Sequence, residues 1–340
     1  MSKISLDKYD RAHMLYQALY ARKIDKLYKD IISEISKLGF SLQTIKRLDK
    51  PLSFTDYPRI KKKVDALIQA LNDGMILIIE NGIKREWKLA NKKSDELCIK
   101  GNPTQLFNDK QNRHYNNTAL QSFIKRKDNG MGLSDRVWDL SQSYKKELEM
   151  GLSLGIKDGK SVDEMSLVLV KYLKHPEELY HEIKDNYGVN AIKSIHPGAG
   201  RYRSSYKNAR RLIATETNMA YRTAEHERWQ DMDFVVGIKI QTSETNHTEP
   251  DICDVLQGDY PKGFKWVGWH PHCRCFQTPI INKSDLLLDE DEESGTNKII
   301  KELPPQFKRW HKKNRERINS AKSLPYFLKD NDKIIYEGIS

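Results

Sequence analysis

Apolar residues recur at intervals of three and four along most of the chain before residue 230, which is the spacing of amphipathic helices. Between residues 59 and 90 this spacing predicts one long helix with a bend at Gly74 or Gly82. A second helix is expected to be capped by Ser134, since a serine hydroxyl can accept a hydrogen bond from the first turn. The first two thirds of the chain are therefore predicted to be mainly helical.

Two further helix starts follow from local chemistry. Ser161 and Glu164 have the spacing of a capping box, in which the hydroxyl and the carboxylate each bind an orphan backbone N–H. Pro176 stands at an expected first helical position, and the two carboxylates after it suit the positive end of the helix dipole. Helices are predicted after each of these signals.

A last long helix is predicted to begin at Ser204 or Ser205 and to end near Trp229. Glu216 lies on its apolar stripe. A buried carboxylate is costly unless it is paired, so we expect an arginine to neutralise Glu216 in a buried ion pair that fixes packing. A catalytic role is the weaker interpretation, because no His or Cys nucleophile lies within helical reach.

After residue 230 the pattern changes to β-branched and aromatic runs. Residues 234–240 and 264–269 each have the composition of a strand. A sheet of two strands is too weak to stand alone in water, so such a module needs a further staple.

Three of the four cysteines lie close in sequence to histidines. Cys253 stands in one segment, and the run Trp-His-Pro-His-Cys-Arg-Cys at residues 269–275 supplies His270, Cys273 and Cys275. Thiolate and imidazole suit a borderline-soft ion, and a structural zinc site needs four such donors. We predict that these four residues bind a structural zinc ion.

The spacing leaves alternatives open. His247 and His272 are alternative ligands in place of the first histidine of the second segment. The cysteines are also compatible with reduced, partly buried thiols or with a Cys253–Cys275 disulfide. A catalytic zinc with a neighbouring aspartate as its base is a further alternative, although no second acid motif accompanies it.

The predicted fold class is mainly α with a small β-containing, zinc-stapled module, an α+β arrangement. Composition shifts divide the chain into a helical region, a core with the Cys/His module, an acidic linker and a basic tail, at residues 1–132, 133–283, 284–297 and 298–340. The tail has too few apolar residues for a core of its own, so we expect it to fold on a partner.

Charge adds a hint about partners. The chain carries 58 Lys and Arg against 47 Asp and Glu, a net charge of +11. This excess favours a polyanion or an acidic protein surface as a partner, and a well-solvated basic surface is the equally open alternative. The longest apolar run, residues 75–79, is too short to cross a bilayer. No secretory segment is expected at the start, and the protein is expected to work in a cytoplasm.

Four segments follow one another in a distinctive order: ARRLIATETNMAYR at 209–222, VVGIKI at 235–240, PDICD at 250–254 and HPHCRC at 270–275. Together they resemble the phage Mu F-like head-morphogenesis family. In that family a helix with an Arg-x-Glu-like segment precedes a strand, a Cys-bearing loop and a His-Pro-x-Cys-Arg-Cys signature. Many members have a Cys-x-x-Cys in the loop, whereas this chain has Pro250 at the first of those positions.

The resemblance implies a minor capsid protein without enzymatic activity. Such a protein acts in capsid morphogenesis and DNA packaging or ejection, in association with the portal or the procapsid interior. It would occupy the bacterial host cytoplasm during assembly and the virion or procapsid afterwards. Cations on the last long helix and just before it could contact DNA phosphates or an acidic portal surface; they are Arg201, Arg203, Lys207, Arg210, Arg211, Arg222 and Arg228.

Two other classes of function stay open. An effector or toxin-type enzyme delivered by a phage-like particle would lie after the acidic linker, where only His311 and scattered acids are available. A zinc-dependent DNA-binding protein would need a base-reading helix projecting from the metal site, whereas Cys-Arg-Cys leads into a strand-like segment.

Overall fold

The computed structural model describes residues 7–40, 50–101, 117–195, 202, 204–242, 251–282, 295–296 and 298–339. Within these ranges the protein is mostly helical with a small sheet, which confirms the predicted α+β class. No helix in the described ranges has both the length and the apolar character needed to cross a bilayer.

The protein forms two compact units, and each is assembled from separated stretches of the chain. The first unit consists of Met1–Leu15, Gly82–Ile124 and Thr215–Ser340, and the second of Tyr16–Asn81 and Lys125–Ala214. The predicted regions followed one another along the chain, whereas these units interleave. The reason is that three long helices have residues in both units: α1 (Lys8–Phe40), α2 (Pro58–Gly101) and the helix that begins at Ser205.

The remaining helices of the second unit begin largely where local chemistry predicts. They are α4 (Leu133–Lys157), α5 (Val162–Lys174), α6 (Pro176–Tyr187) and α7 (Val189–Ile195). The capping box is confirmed: the backbone N–H of Ser161 donates to Glu164 Oε2 at 2.7 Å, and the serine hydroxyl accepts from the backbone of Glu164. The prediction for α4 was wrong by two residues, because Gly132 and not Ser134 is its N-cap.

A buried aromatic and acidic cluster lies in the core of the second unit. The ring of Tyr28 packs against those of Tyr144 and Tyr206, with centroids 4.6 and 5.3 Å apart. Glu147 accepts hydrogen bonds from the backbone N–H and the hydroxyl of Ser205, at 2.8 and 3.0 Å. Burial outweighs these hydrogen bonds and raises the pKa of Glu147 to about 7.

The first unit contains the sheet. Its strands are β1 (Val235–Gln241), β2 (Gly258–Tyr260), β3 (Phe276–Asn282) and β4 (Gly295–Thr296), in the order β2-β1-β3-β4. β1 pairs antiparallel with β2 and β3, and the short β4 is parallel to β3. The strand predicted at 234–240 is thus confirmed. The strand predicted at 264–269 was wrong, because this segment is irregular and buries Phe264, Trp266 and Trp269.

Several helices of the first unit share a hydrophobic core with this sheet. The helices of this unit include α3 (Asn117–Lys125), α8 (Ser205–Gln230), which passes through both units, and the short α9 (Ile252–Leu256). The tail forms α10 (Pro305–Lys313), α11 (Arg315–Asn319), α12 (Tyr326–Lys329) and α13 (Asp332–Ile339). Phe307 and Phe327 are fully buried in the same hydrophobic cluster as Cys253, Cys273 and Cys275. The tail therefore packs within this unit, in contrast to the expected segment that folds only on a partner.

Candidate metal centre

Helix α9 presents the first cysteine through a capping box. The side chain of Asp251 accepts from the backbone N–H of Cys253 at 2.7 Å, and Asp254 accepts from the backbone N–H of Asp251 at 2.8 Å. Both aspartates that could have acted as a base thus use one carboxylate oxygen to cap the start of α9, and the other oxygen of Asp251 lies 4.0 Å from His270 Nε2. The cap holds the Cys253 thiol in the interior, where the residue is 6% exposed.

A tight turn presents the second group of ligands. Its backbone bends at Gly268, with φ 131°, and at His272, with φ 61°. The N–H of Cys273 donates to the carbonyl of His270 at 3.2 Å, and the N–H of His272 donates to the hydroxyl of Thr215 on α8 at 3.0 Å. The turn directs the cysteine inward and leaves the side chain of His272 exposed.

Three predicted ligands converge. Cys253 Sγ lies 3.2 Å from His270 Nε2 and 3.9 Å from Cys273 Sγ. All three donor atoms lie within 4.8 Å of one another, so the group can hold a metal ion. His270 and Cys273 lie 17 and 20 residues after Cys253 in the sequence, and the fold brings these two segments together as the residue types predict.

Cys275 is not one of these three residues, but its thiol interacts with those of Cys253 and Cys273. Hydrogen bonds to Cys273 and Cys275 are the main reasons that the pKa of the Cys253 thiol is raised. The hydrogen bond from Cys253 and the one from Cys275 hold the pKa of Cys273 well below its usual value. In Cys275 the bond to Cys253 lowers the pKa, but the bond to Cys273 and burial outweigh it and raise the pKa to about 12. The three thiols therefore interact closely with one another.

The imidazole of His270 has the orientation that a metal ligand needs. Its Nδ1 faces the carbonyl of Pro271 at 3.0 Å, and an N–H at Nδ1 can donate to it. That tautomer leaves a lone pair on Nε2, the atom nearest to Cys253. A hydrogen bond from the second ring nitrogen to a carbonyl is the usual support of a metal-bound histidine.

Arg222 of α8 is the residue whose role the sequence analysis missed. It was grouped with solvent-facing cations, whereas it is 4% exposed. Its guanidinium donates to the backbone carbonyls of Val267, Cys273 and Cys275 at 3.0, 2.8 and 2.5 Å. It also lies over the ring of Trp266, 4.4 Å from the centroid. Arg222 thus fixes the backbone on both sides of the cysteine pair. On the helix, Arg222 lies opposite the apolar stripe that carries Glu216, so its position in the sequence carried no signal of its burial.

A second, partly buried cation joins α8 to α1 and α2 within the first unit. Lys93 Nζ lies 2.8 Å from Asp10, 2.9 Å from Glu225 and 3.5 Å from Asp7. Burial alone would lower the pKa of Lys93, but the surrounding carboxylates raise it above its usual value. Glu225 also accepts from the amide of Gln277 on β3 at 3.2 Å, so the strand that follows the cysteines is tied to the same helix.

The other predicted site residues have mixed outcomes. His247, Arg201 and Arg203 lie outside the described residues. Glu216 is buried at 1% exposure, and its pairing with an arginine stays a prediction.

The cations of α8, all of which lie in the described residues, do not form a uniform basic face. Lys207 and Arg211 are half-buried. Arg210 is exposed, but it donates to the hydroxyl of Tyr206 and lies 3.5 Å from Asp25. Arg228 pairs with Asp95 at 2.7 Å. A DNA or portal contact along this helix therefore stays a prediction, while Arg222 is withdrawn from it because its charge is used internally.

No protein-family model, curated protein or solved structure matches the chain. The chemistry of the site itself is what indicates its function. The imidazole of His270 and the thiols of Cys253 and Cys273, with Cys275 beside them, lie inside the first unit. They are held between the N-terminus of α9 and the turn whose carbonyls Arg222 binds.

Proposed function

We propose that Cys253, His270, Cys273 and Cys275 bind a structural zinc ion that staples the sheet of the first unit. Zinc–sulfur and zinc–nitrogen bonds of about 2.3 and about 2.05 Å place tetrahedral S–S and S–N pairs about 3.8 and about 3.5 Å apart. The sulfur–sulfur and sulfur–nitrogen separations of 3.9 and 3.2 Å are close to these values. This match is the observation that carries the proposal.

A structural role fits the surroundings of this group better than a catalytic one. A catalytic zinc keeps an open position for water or substrate, whereas a structural zinc is closed by four protein ligands. Here a third thiol adjoins the group, and the nearby carboxylates are engaged in capping α9. Structural zinc contributes on the order of 10 kcal/mol to folding in small modules, enough to order the irregular segment between β2 and β3.

We further propose that the chain is a non-enzymatic minor head protein of a phage or prophage, acting in capsid morphogenesis and DNA packaging or ejection. What supports this is the resemblance to the Mu F-like family, two of whose segments, residues 209–222 and 270–275, are joined in this chain by hydrogen bonds from Arg222. Its partners would be portal or capsid proteins and DNA, in the host cytoplasm during assembly and then in the virion or procapsid.

Induction of the source prophage followed by isolation of heads tests this assembly role. Quantitative mass spectrometry of purified heads should detect the chain in a few copies per portal, and cross-linking should join it to portal or capsid subunits. Its absence from heads and from portal-containing intermediates would overturn the assembly role. The metal site would survive that outcome, since metal content is measured on the isolated protein.

A further inference from the structure

Helix α10 of the tail has two contrasting faces. Phe307 is fully buried, and its ring and that of Trp310 lie 6.3 and 5.6 Å from the ring of Phe327. At the helical spacing of about 100° per residue, the opposite arc carries Lys308, Arg309, Lys312 and Lys313. The aromatic face is fixed to the core, so the basic arc is held outward on a folded scaffold.

The short α11 extends this basic arc, and we call the exposed cations of the two helices the tail surface: Arg309, Lys312, Lys313, Arg315 and Arg317. Residues 308–317 contain six lysines and arginines against a single carboxylate, Glu316. Within the described part of the chain, Lys308 pairs with Glu302 at 3.1 Å, and the five residues of the tail surface form no ion pair. Their mutual repulsion is relieved only by a polyanion or by counterions.

The cations of α8 differ from this surface. Arg222 and Arg228 direct their charge to internal carbonyls or to Asp95, and Arg210 lies beside Asp25. The tail surface therefore has the uncommitted charge that was first expected on the long helix.

The composition of the tail surface selects among polyanions. Protein interfaces are organised around apolar or aromatic anchors, and interfacial membrane helices insert an apolar face. None of the exposed large hydrophobic side chains of the described residues lies on α10 or α11. Single-stranded nucleic acids stack on exposed aromatic rings, whereas Trp310 packs on Phe307 and Phe327. A regular array of phosphates, as on a duplex, needs no such anchors, and arginine binds phosphate with two hydrogen bonds.

We propose that the tail surface binds the phosphate backbone of double-stranded nucleic acid without reading its sequence. As a description of what the tail does inside a head, this inference rests on the proposed function. The binding itself is a property of the purified chain.

Fluorescence anisotropy of a labelled DNA duplex, titrated with full-length protein at increasing salt, tests the inference. One variant carries Arg309→Gln, Lys312→Gln, Lys313→Gln and Arg315→Gln. Its matched control loses four exposed cations of α1 and α2 through Arg22→Gln, Lys23→Gln, Lys29→Gln and Lys62→Gln. Each lost phosphate contact should reduce the magnitude of the slope of log affinity against log salt by about 0.9. The slope of the tail variant should therefore be smaller than that of the wild type by about 3 to 4. Its affinity for the duplex at low salt should be at least about tenfold weaker.

The control should keep the wild-type slope, and Lys312→Arg with Lys313→Arg should keep the affinity. Equal losses in the tail variant and the control, or no loss in the tail variant, would overturn the inference. So would tighter binding of polyglutamate, phosphatidylglycerol vesicles or single-stranded DNA than of the duplex. An RNA duplex that binds as well as DNA supports the backbone recognition, and one that binds more tightly moves the partner to RNA. Unchanged thermal unfolding of the tail variant shows that the lost contact is the cause.

Discussion

The guanidinium of Arg222 donates a hydrogen bond to the backbone carbonyl of Cys275 at 2.5 Å. With its bonds to Val267 and Cys273, one side chain satisfies three carbonyls in a segment without regular secondary structure before β3. Buried carbonyls outside helices and sheets have few other donors, and each unsatisfied one costs about 1–3 kcal/mol. The turn that carries the ligands thus depends on a helix some 50 residues earlier in the chain.

Arg222→Lys should therefore destabilise the first unit by about 2–4 kcal/mol, although it keeps the charge. A lysine cannot reproduce the planar fork or the stacking on Trp266. Urea unfolding measures the loss. Arg274→Lys, an exposed site within the same turn, is the control and should change stability by less than about 0.5 kcal/mol. Equal stability of the two variants would show that the three carbonyls do not need Arg222.

Metal affinity should depend on His270 and not on His272, the other histidine of the turn. His270→Asn should abolish binding because it removes the nitrogen 3.2 Å from the Cys253 sulfur. His272→Asn should keep the metal, since His272 lies outside the ligand group and asparagine tolerates its φ of 61°. Titration with Co²⁺, read by its thiolate charge-transfer band, and zinc content by mass spectrometry measure both. Metal retained in His270→Asn and lost in His272→Asn would reverse the assignment.

Removal of the metal by a chelator should lower the thermal stability of the wild type and leave that of Cys273→Ser unchanged. A site that contributes to folding must show this difference. A chelator that has no effect on the wild type would leave three reduced, buried thiols as the better description of the cluster.

Some parts of this structure follow from local sequence, and the reasons are physical. The capping box at Ser161 depends only on residues three apart, so its pattern is sufficient. The Cys/His cluster was found because thiols and imidazoles are rare enough to stand out. The role of Arg222 was hidden, since a buried arginine and a solvated one look alike on a helix and its acceptors are distant carbonyls.

The errors have a common origin in tertiary packing. Residues 264–269 have the aromatic and β-branched composition of a strand, but their rings fill a core shared with Tyr260 and Phe327. A segment forms a strand only where a neighbouring strand is available to pair with it, and within the described sheet this segment has no such neighbour. The tail was judged on its own apolar content, whereas Phe307 and Phe327 add to a core that the sheet module supplies.

Lys93→Met should destabilise the protein by about 3–5 kcal/mol. The lysine is the cation closest to Asp10 and Glu225, and its loss leaves buried carboxylates without compensation. The difference from wild type should shrink at acid pH, because burial raises the pKa of Glu225 and this carboxylate becomes protonated there. Lys92→Met, its exposed neighbour, is the control for the loss of one charge. An equal loss of stability in the two variants would mean that water solvates the carboxylates of Asp10 and Glu225 once Lys93 is gone.

Glu147 should make stability depend on pH in the direction opposite to that of a salt-bridged acid. Because burial raises its folded pKa to about 7 from an unfolded value of 4.5, folding takes up a proton between these values. Its contribution to stability is complete below about pH 4.5 and is lost as the pH rises through about 7, by on the order of 3 kcal/mol.

Glu147→Gln isolates this effect, because the amide resembles the protonated acid and can still accept from the N–H of Ser205. In urea unfolding, the variant and the wild type should be nearly equal at about pH 4, and the variant should be more stable by up to about 3 kcal/mol at about pH 8. Glu34→Gln, at an exposed site of α1, should show no such divergence. If the wild type instead became more stable relative to the variant as the pH rises, the folded pKa of Glu147 would lie below 4.5. The hydrogen bonds from Ser205 would then outweigh burial.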